Sequence, residues 1–120
     1  MTPALQSARV ILFFVAASYV LSAILLGVAR SRGAVVPGWV IGGWLVTGLL
    51  GMALAYLLGP GRGGVWVGLL VVLGPWMIYS AIGDARLGHY VMTGVDVLGL
   101  LAIGYALAIA YRDAFAVTTS

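Results

Sequence analysis

The chain has 120 residues, of which 63% are hydrophobic and 8% charged, and its mean hydropathy of +1.17 sets it apart from soluble domains, where about a quarter of residues are charged. It reads as an all-α integral membrane protein whose first partner is the lipid bilayer. The absence of cysteine excludes disulfides, thiolate metal sites and cysteine nucleophiles. The formal charge of +3 comes from six arginines spread along the chain without a cluster, which suits anchoring at lipid headgroups and argues against nucleic acid, whose recognition needs a basic patch.

Charges and Gly/Pro clusters divide the chain into four apolar runs, each near the roughly 20 residues that a helix needs to span a bilayer. The first, Val10 to Ala29, is bounded by Arg9 and by Arg30-Ser31-Arg32-Gly33. It is longer than the roughly 7 to 15 apolar residues of a signal peptide, and no small-x-small cleavage site follows, so it is expected to be a mature helix. The second, Trp39 to Leu58, follows Pro37-Gly38 and stops at Gly59-Pro60-Gly61-Arg62-Gly63, a turn-favouring stretch. The third, Gly64 to Ile82, is closed by Gly83-Asp84-Ala85-Arg86, and the fourth runs from Tyr90 to Tyr111 before a short polar tail, Arg112 to Ser120. Loops this short make successive helices antiparallel neighbours, so the expectation is one four-helix transmembrane domain over residues 1–120, running up-down-up-down.

Small residues recur where helices would touch. Gly43, Thr47, Gly51, Ala55 and Gly59 repeat every four residues in the second run, the third opens with Gly64 and Gly68, and the fourth repeats Ala102, Ala106 and Ala110. Stripes of this kind let backbones approach closely, which matters in lipid because pairing two apolar helices there brings no hydrophobic gain. The second helix is therefore expected to be a packing centre, within the bundle or against another subunit. Pro75 removes an amide from the third helix and frees the carbonyl of Val71, so a kink is expected there.

One residue inside the spans invites a chemical reading. Asp96 lies six residues beyond Tyr90, roughly 9 Å below the interface at 1.5 Å per residue, and its short side chain cannot snorkel far. A carboxylate facing lipid at that depth is expensive, so it should face the bundle, a cavity or a partner. In an up-down bundle the same layer receives Tyr19, Ser22, Trp44, Thr47, Trp76 and Tyr79, whose hydroxyl and indole groups are candidate partners. On its own helix His89 and Thr93 lie within about 60° of the same face. His89, Thr93 and Asp96 thus form an entry for a proton or cation, or a tether that fixes helix register beside an ordinary interfacial histidine, and a salt bridge from Asp96 to Arg86 or to an arginine of a neighbouring subunit is a third outcome. A lone acid without a basic partner is a thin relay, and the tether is the preferred reading.

Catalysis has little support. There is no phosphate-binding Gly-rich loop after a strand, no HExxH and no G-x-S-x-G, and a single histidine without a paired ligand gives no haem site. No cofactor and no metal are expected. Trp39, Trp66, Trp76, Tyr56, Tyr90 and Tyr111 lie near span ends, where aromatic rings anchor at headgroups. In size and span count the chain resembles the small multidrug transporters and the fluoride channels. It contains neither glutamate nor asparagine, so the glutamate in the first helix of the former and the Asn-bearing motifs of the latter have no counterpart, and the likeness is one of architecture.

These features lead to the expectation of a multi-pass protein of a prokaryotic cytoplasmic membrane. It would act without catalysis, as a subunit or self-associating scaffold of a membrane complex, homo-oligomeric or larger. The alternative expectation is a small oligomeric transporter or channel that uses Asp96 as a proton or cation site.

Orientation is undetermined, since Arg9, Arg62 and Arg112 would fall on one side and Arg30, Arg32 and Arg86 on the other. Either antiparallel copies insert both ways or a partner sets the direction. If the balance means dual insertion, C-terminal reporter fusions will be found on both sides, and two arginines added to the tail will bias them to one. A single orientation indifferent to those charges would leave a partner as the cause.

Overall fold

A computed structural model describes residues 2–115 as four helices: α1 (Pro3–Ser31), α2 (Gly38–Leu57), α3 (Gly63–Arg86) and α4 (Tyr90–Ala114). Each is long and apolar enough to cross a membrane. The end of the polar tail, residues 116–120, lies outside the described part.

Three of the helices outrun their apolar cores. α1 begins seven residues before Val10 because Thr2 caps it, its Oγ1 accepting from the Leu5 amide at 3.2 Å, and Pro3 occupies the first turn, where an amide has no intrahelical acceptor. Hydropathy marks where lipid is tolerated, whereas capping marks where the helix starts; Arg9 is therefore helical. At the other boundary, α3 does not stop at Ile82. It continues through Gly83 and Asp84 to Arg86, and Gly88, at φ +77°, supplies the left-handed residue that ends it, donating its N–H to the Ala85 carbonyl. α4 likewise continues past Tyr111 through Arg112 and Asp113. Pro75 lies inside α3, which runs through it as one helix.

The helices form a four-membered bundle with extents of 58 × 23 × 19 Å, in which α1 packs on α2 and α4, and α3 packs on α2 and α4. The buried face of α1 is a single stripe, Leu5, Ala8, Leu12, Ala16, Tyr19 and Ala23, at the three- and four-residue spacing of one helical face. Opposite it stand Trp44, Gly48, Gly51 and Ala55 of α2, Leu69, Leu73 and Met77 of α3, and Ile103, Ala106, Leu107 and Ala110 of α4. The outer faces are as apolar as the core: Phe14 is 70% exposed, Leu98 66% and Val46 63%. Helices apolar all round are those of membrane spans, and the chain has the character of a multi-pass membrane protein.

Most of the small residues of α2 are occupied within the bundle. A Cβ at Gly43 would fall inside the Trp76 ring, and one at Gly51 would lie 2.7 Å from Leu73 Cδ2 and 3.1 Å from Ala16 Cβ. Ala55 is fully buried. The tightest backbone approach is at Gly48, outside the four-residue register: a Cβ there would lie 2.9 Å from the Ala16 carbonyl oxygen. Thr47, half-buried, is displaced from that contact by one helical position. Gly59 lies beyond the end of α2, beside the stem of Arg62. Gly68 has ordinary room against Leu54, and Gly64 has nothing within 4 Å.

Gly48→Ala should therefore destabilise the protein by about 1–3 kcal/mol, because the obstructing atom belongs to the α1 backbone and cannot rotate away. Gly64→Ala should be neutral. Equal midpoints for the two variants in SDS unfolding from mild detergent would refute this account of the α1–α2 contact.

Candidate functional site

Asp96 is buried, 4% exposed, and the group that meets it comes from α3. Ser80 Oγ donates to Asp96 Oδ2 at 3.3 Å. One turn further along α3 stands a second acid, Asp84. Because α3 runs past Ile82, Asp84 is helical too and lies four residues from Ser80 on the same helical face. The reversal at Leu87 to His89 then sets the first turns of α4 beside the last turns of α3.

His89 caps this arrangement. Its amide donates to the Asp84 carbonyl at 2.8 Å, and its Nδ1 stands 3.9 Å from Asp84 Oδ1, a separation that makes an ion pair when the imidazole is protonated. The imidazole points at Asp84 and is 61% exposed, against 21% for Asp84. Thr93 takes no part in an inward track, since its hydroxyl donates back to the His89 carbonyl at 3.0 Å. Asp96 thus takes a hydroxyl partner from α3, while Asp84, one turn further along that helix, stands against the His89 imidazole.

The groups expected around Asp96 from the other helices have different employment. Tyr19, fully buried, donates its hydroxyl to the Leu73 carbonyl at 2.6 Å, reaching from α1 across to α3. Trp44 meets the Tyr19 ring edge-on at 4.9 Å, and Trp76 meets Trp44 edge-on at 5.8 Å. The Trp76 indole N–H is buried and has no hydrogen-bond partner among the described residues. Tyr79 is 56% exposed and packs with Trp39 and Trp76 as an aromatic ledge. Ser22 bonds its own helix, to the Ser18 carbonyl.

A second set of ties closes the far end of the bundle. Thr2 Oγ1 donates to Asp113 Oδ2, the Gly61 amide donates to the Asp113 carbonyl, and Trp66 Nε1 donates to the Leu107 carbonyl at 2.8 Å. Arg9 Nη2 donates to the Tyr56 carbonyl at 2.8 Å while its guanidinium lies over the Tyr56 ring. A shallow groove of about 330 Å³ runs beside Arg9, lined by Phe13, Phe14 and Tyr56. Among the described residues, no three His, Asp or Glu side chains are placed to hold a metal.

Sequence reasoning missed Asp84 because the hydropathy boundary at Ile82 put it in a loop, and it passed over Ser80, inside the third run, in favour of the neighbouring Tyr79. The available signal was the Ser80-x-x-x-Asp84 spacing, which matters only if the helix continues. Compared with known proteins, the chain matches no family model and shows no significant similarity to any curated protein or solved structure.

Tyr19→Phe removes a hydrogen bond between helices and should cost about 0.6 kcal/mol, and no more than about 1.7, the mean and the upper end for such bonds inside a membrane protein. Ser22→Ala, whose bond stays within α1, should cost nothing measurable. Detergent unfolding of the two variants side by side checks the difference, and an unaltered Tyr19→Phe protein would remove the diagonal tie from the account.

Proposed function

We propose that the chain is a four-span, up-down-up-down protein of the cytoplasmic membrane that acts as a non-catalytic subunit or self-associating scaffold of a membrane complex. The observation that carries this reading is the division of labour between inside and outside. Polar groups within the spans are largely spent on ties between helices, Tyr19 to Leu73, Trp66 to Leu107 and Ser80 to Asp96. The outer surface, in contrast, is apolar and interrupted by glycines with open space beside them, Gly64, Gly94 and Gly104 among them. Such positions let a further helix approach closely, and close approach is the main source of helix association in lipid.

The second reading, a small oligomeric transporter or channel that uses Asp96 as a proton or cation site, is favoured by the burial of that acid inside a span. Acidic groups inside a membrane protein are expensive and commonly serve ion or proton movement.

Blue-native electrophoresis after mild detergent extraction separates the two. A large assembly containing other chains supports the subunit, and a homo-oligomer with pH-dependent flux in reconstituted vesicles that Asp96→Asn abolishes supports the transporter. A monomer without flux would dismiss both.

A further inference from the structure

We propose that the end of the bundle carrying the α1–α2 and α3–α4 turns is a docking surface for anionic phospholipid, gripped by Arg30, Arg32 and Arg86 and entered by Val35 and Leu87. The proposal goes beyond the function given above and holds for a subunit or a transporter alike.

Contacts between helices bring the two turns to one end. Trp39, in the first turn of α2, meets the Tyr79 ring of α3 at 6.1 Å, about two turns before Arg86, and the Arg30 guanidinium at the end of α1 lies against Gly38. The two turns are built alike. Arginine stands at the end of each helix, Arg30 and Arg32 for α1 and Arg86 for α3, and a left-handed glycine closes it, Gly33 at φ +96° and Gly88 at φ +77°. An apolar side chain stands out beside each glycine: Val35 is 100% exposed and Leu87 72%.

That end fits a lipid leaflet better than water. The guanidiniums of Arg30, Arg32 and Arg86 have no hydrogen-bond or ion-pair partner among the described residues, and Arg86 bridges neither Asp84 nor Asp96. Asp84 is turned to His89 instead. A guanidinium offers its N–H groups as a fork that matches phosphate oxygens, and attraction to anionic headgroups grows with each arginine near the surface. Apolar side chains at a turn are better placed in the boundary between headgroups and acyl chains than in water, so charge and apolar area act together on an anionic leaflet.

The other end has as many arginines in a different arrangement. Arg9 donates to the Tyr56 carbonyl and lies over the Tyr56 ring, and Arg62 donates to the Leu57 carbonyl at 3.0 Å, so both are engaged with the last turn of α2. The turn there, Gly59-Pro60-Gly61-Arg62, has no large apolar side chain to insert, and Leu58 before it is 1% exposed. Equal arginine counts thus conceal two ends of unequal affinity for lipid.

The chain has no cysteine, so a single introduced one carries a fluorescent label at a chosen end. Ala34→Cys places it in the α1–α2 turn, and Gly64→Cys, with nothing within 4 Å of the new Cβ, places it at the other end. The labelled full chain is reconstituted in vesicles of phosphatidylcholine and phosphatidylglycerol, with one lipid or the other acyl-brominated as quencher at equal mole fraction. Quenching of the Ala34→Cys label should report an enrichment of phosphatidylglycerol over phosphatidylcholine of about fivefold or more, the factor for one arginine at an anionic surface, and the Gly64→Cys label less than half that ratio. Arg30→Gln, Arg32→Gln and Arg86→Gln together should bring the ratio at Ala34→Cys to unity, whereas Arg62→Gln with Arg112→Gln should leave it unchanged. Val35→Ser with Leu87→Ser should shift the emission of that label to the red. Equal quenching by the two lipids would overturn the proposal and leave the arginines to an acidic protein, and equal ratios at the two labels would overturn the difference between the ends. A preference lost to inorganic phosphate but not to chloride at matched ionic strength would mean a discrete anion site in place of a lipid surface. Unmoved emission in the serine variant would remove the turns from the headgroup layer. If the triple arginine variant fails to fold, as judged by circular dichroism and gel filtration, salt decides: the preference must fall as sodium chloride rises, and one that persists would overturn the role of the arginines. None of these readouts depends on the composition of the complex seen in native electrophoresis.

Discussion

The absence of a side chain at Gly48 lets the α2 backbone lie against the Ala16 carbonyl of α1, and much of the bundle follows from that approach. In lipid, two apolar helices gain little by hiding from the solvent, so their association depends on how many atoms they bring into contact. Gly48 and Gly51 remove the obstacles on one side, and Ala16 keeps the other side low. With the helices this close, Tyr19 is buried one turn along from Ala16 and has nowhere to point but across the bundle. There it finds the Leu73 carbonyl, and its ring takes the edge of Trp44. The aromatic chain then passes through Trp76 to the half-exposed ledge of Trp39 and Tyr79.

A polar group in such an interior is costly when unpaired, and the bundle pairs its hydroxyls and indoles mainly with backbone carbonyls. Tyr19 uses Leu73, Trp66 uses Leu107, and Ser18, Ser22 and Thr93 turn back on their own helices. Backbone carbonyls can accept a second hydrogen bond without leaving the helical ladder, which makes them acceptors available at every depth. Asp96 stands outside this scheme. A carboxylate needs donors, and α3 supplies it the Ser80 hydroxyl.

The α3–α4 end shows how a turn sets its contacts. Gly88 closes α3 in three residues, and the short reversal keeps His89 against Asp84 and Asp96 beside Ser80. A longer loop would let α4 slide relative to α3 and separate Asp96 from Ser80. The far end uses different means: Asp113 receives both Thr2 and the Gly61 amide, joining the start of α1, the α2–α3 turn and the end of α4.

The amino-acid sequence alone determined the four apolar helices, the turns at Gly33 and Gly61, and the inward direction of Asp96. These are consequences of local chemistry: run length against bilayer thickness, backbone freedom at glycine, and the cost of a carboxylate in hydrocarbon. Helix ends were less legible, because the Thr2 cap and the continuation of α3 through Asp84 lie in stretches where hydropathy has already fallen. What only the tertiary structure decided was the partners. Each helix is apolar on every side, so no pattern in the chain sets its rotation about its axis, and rotation chooses between Thr47 and Gly48 as the contact, and between Tyr19 and Ser80 as the donor to Asp96. That rotation is set jointly by the four helices, through the close approach of α1 to α2 and the short turn from α3 to α4.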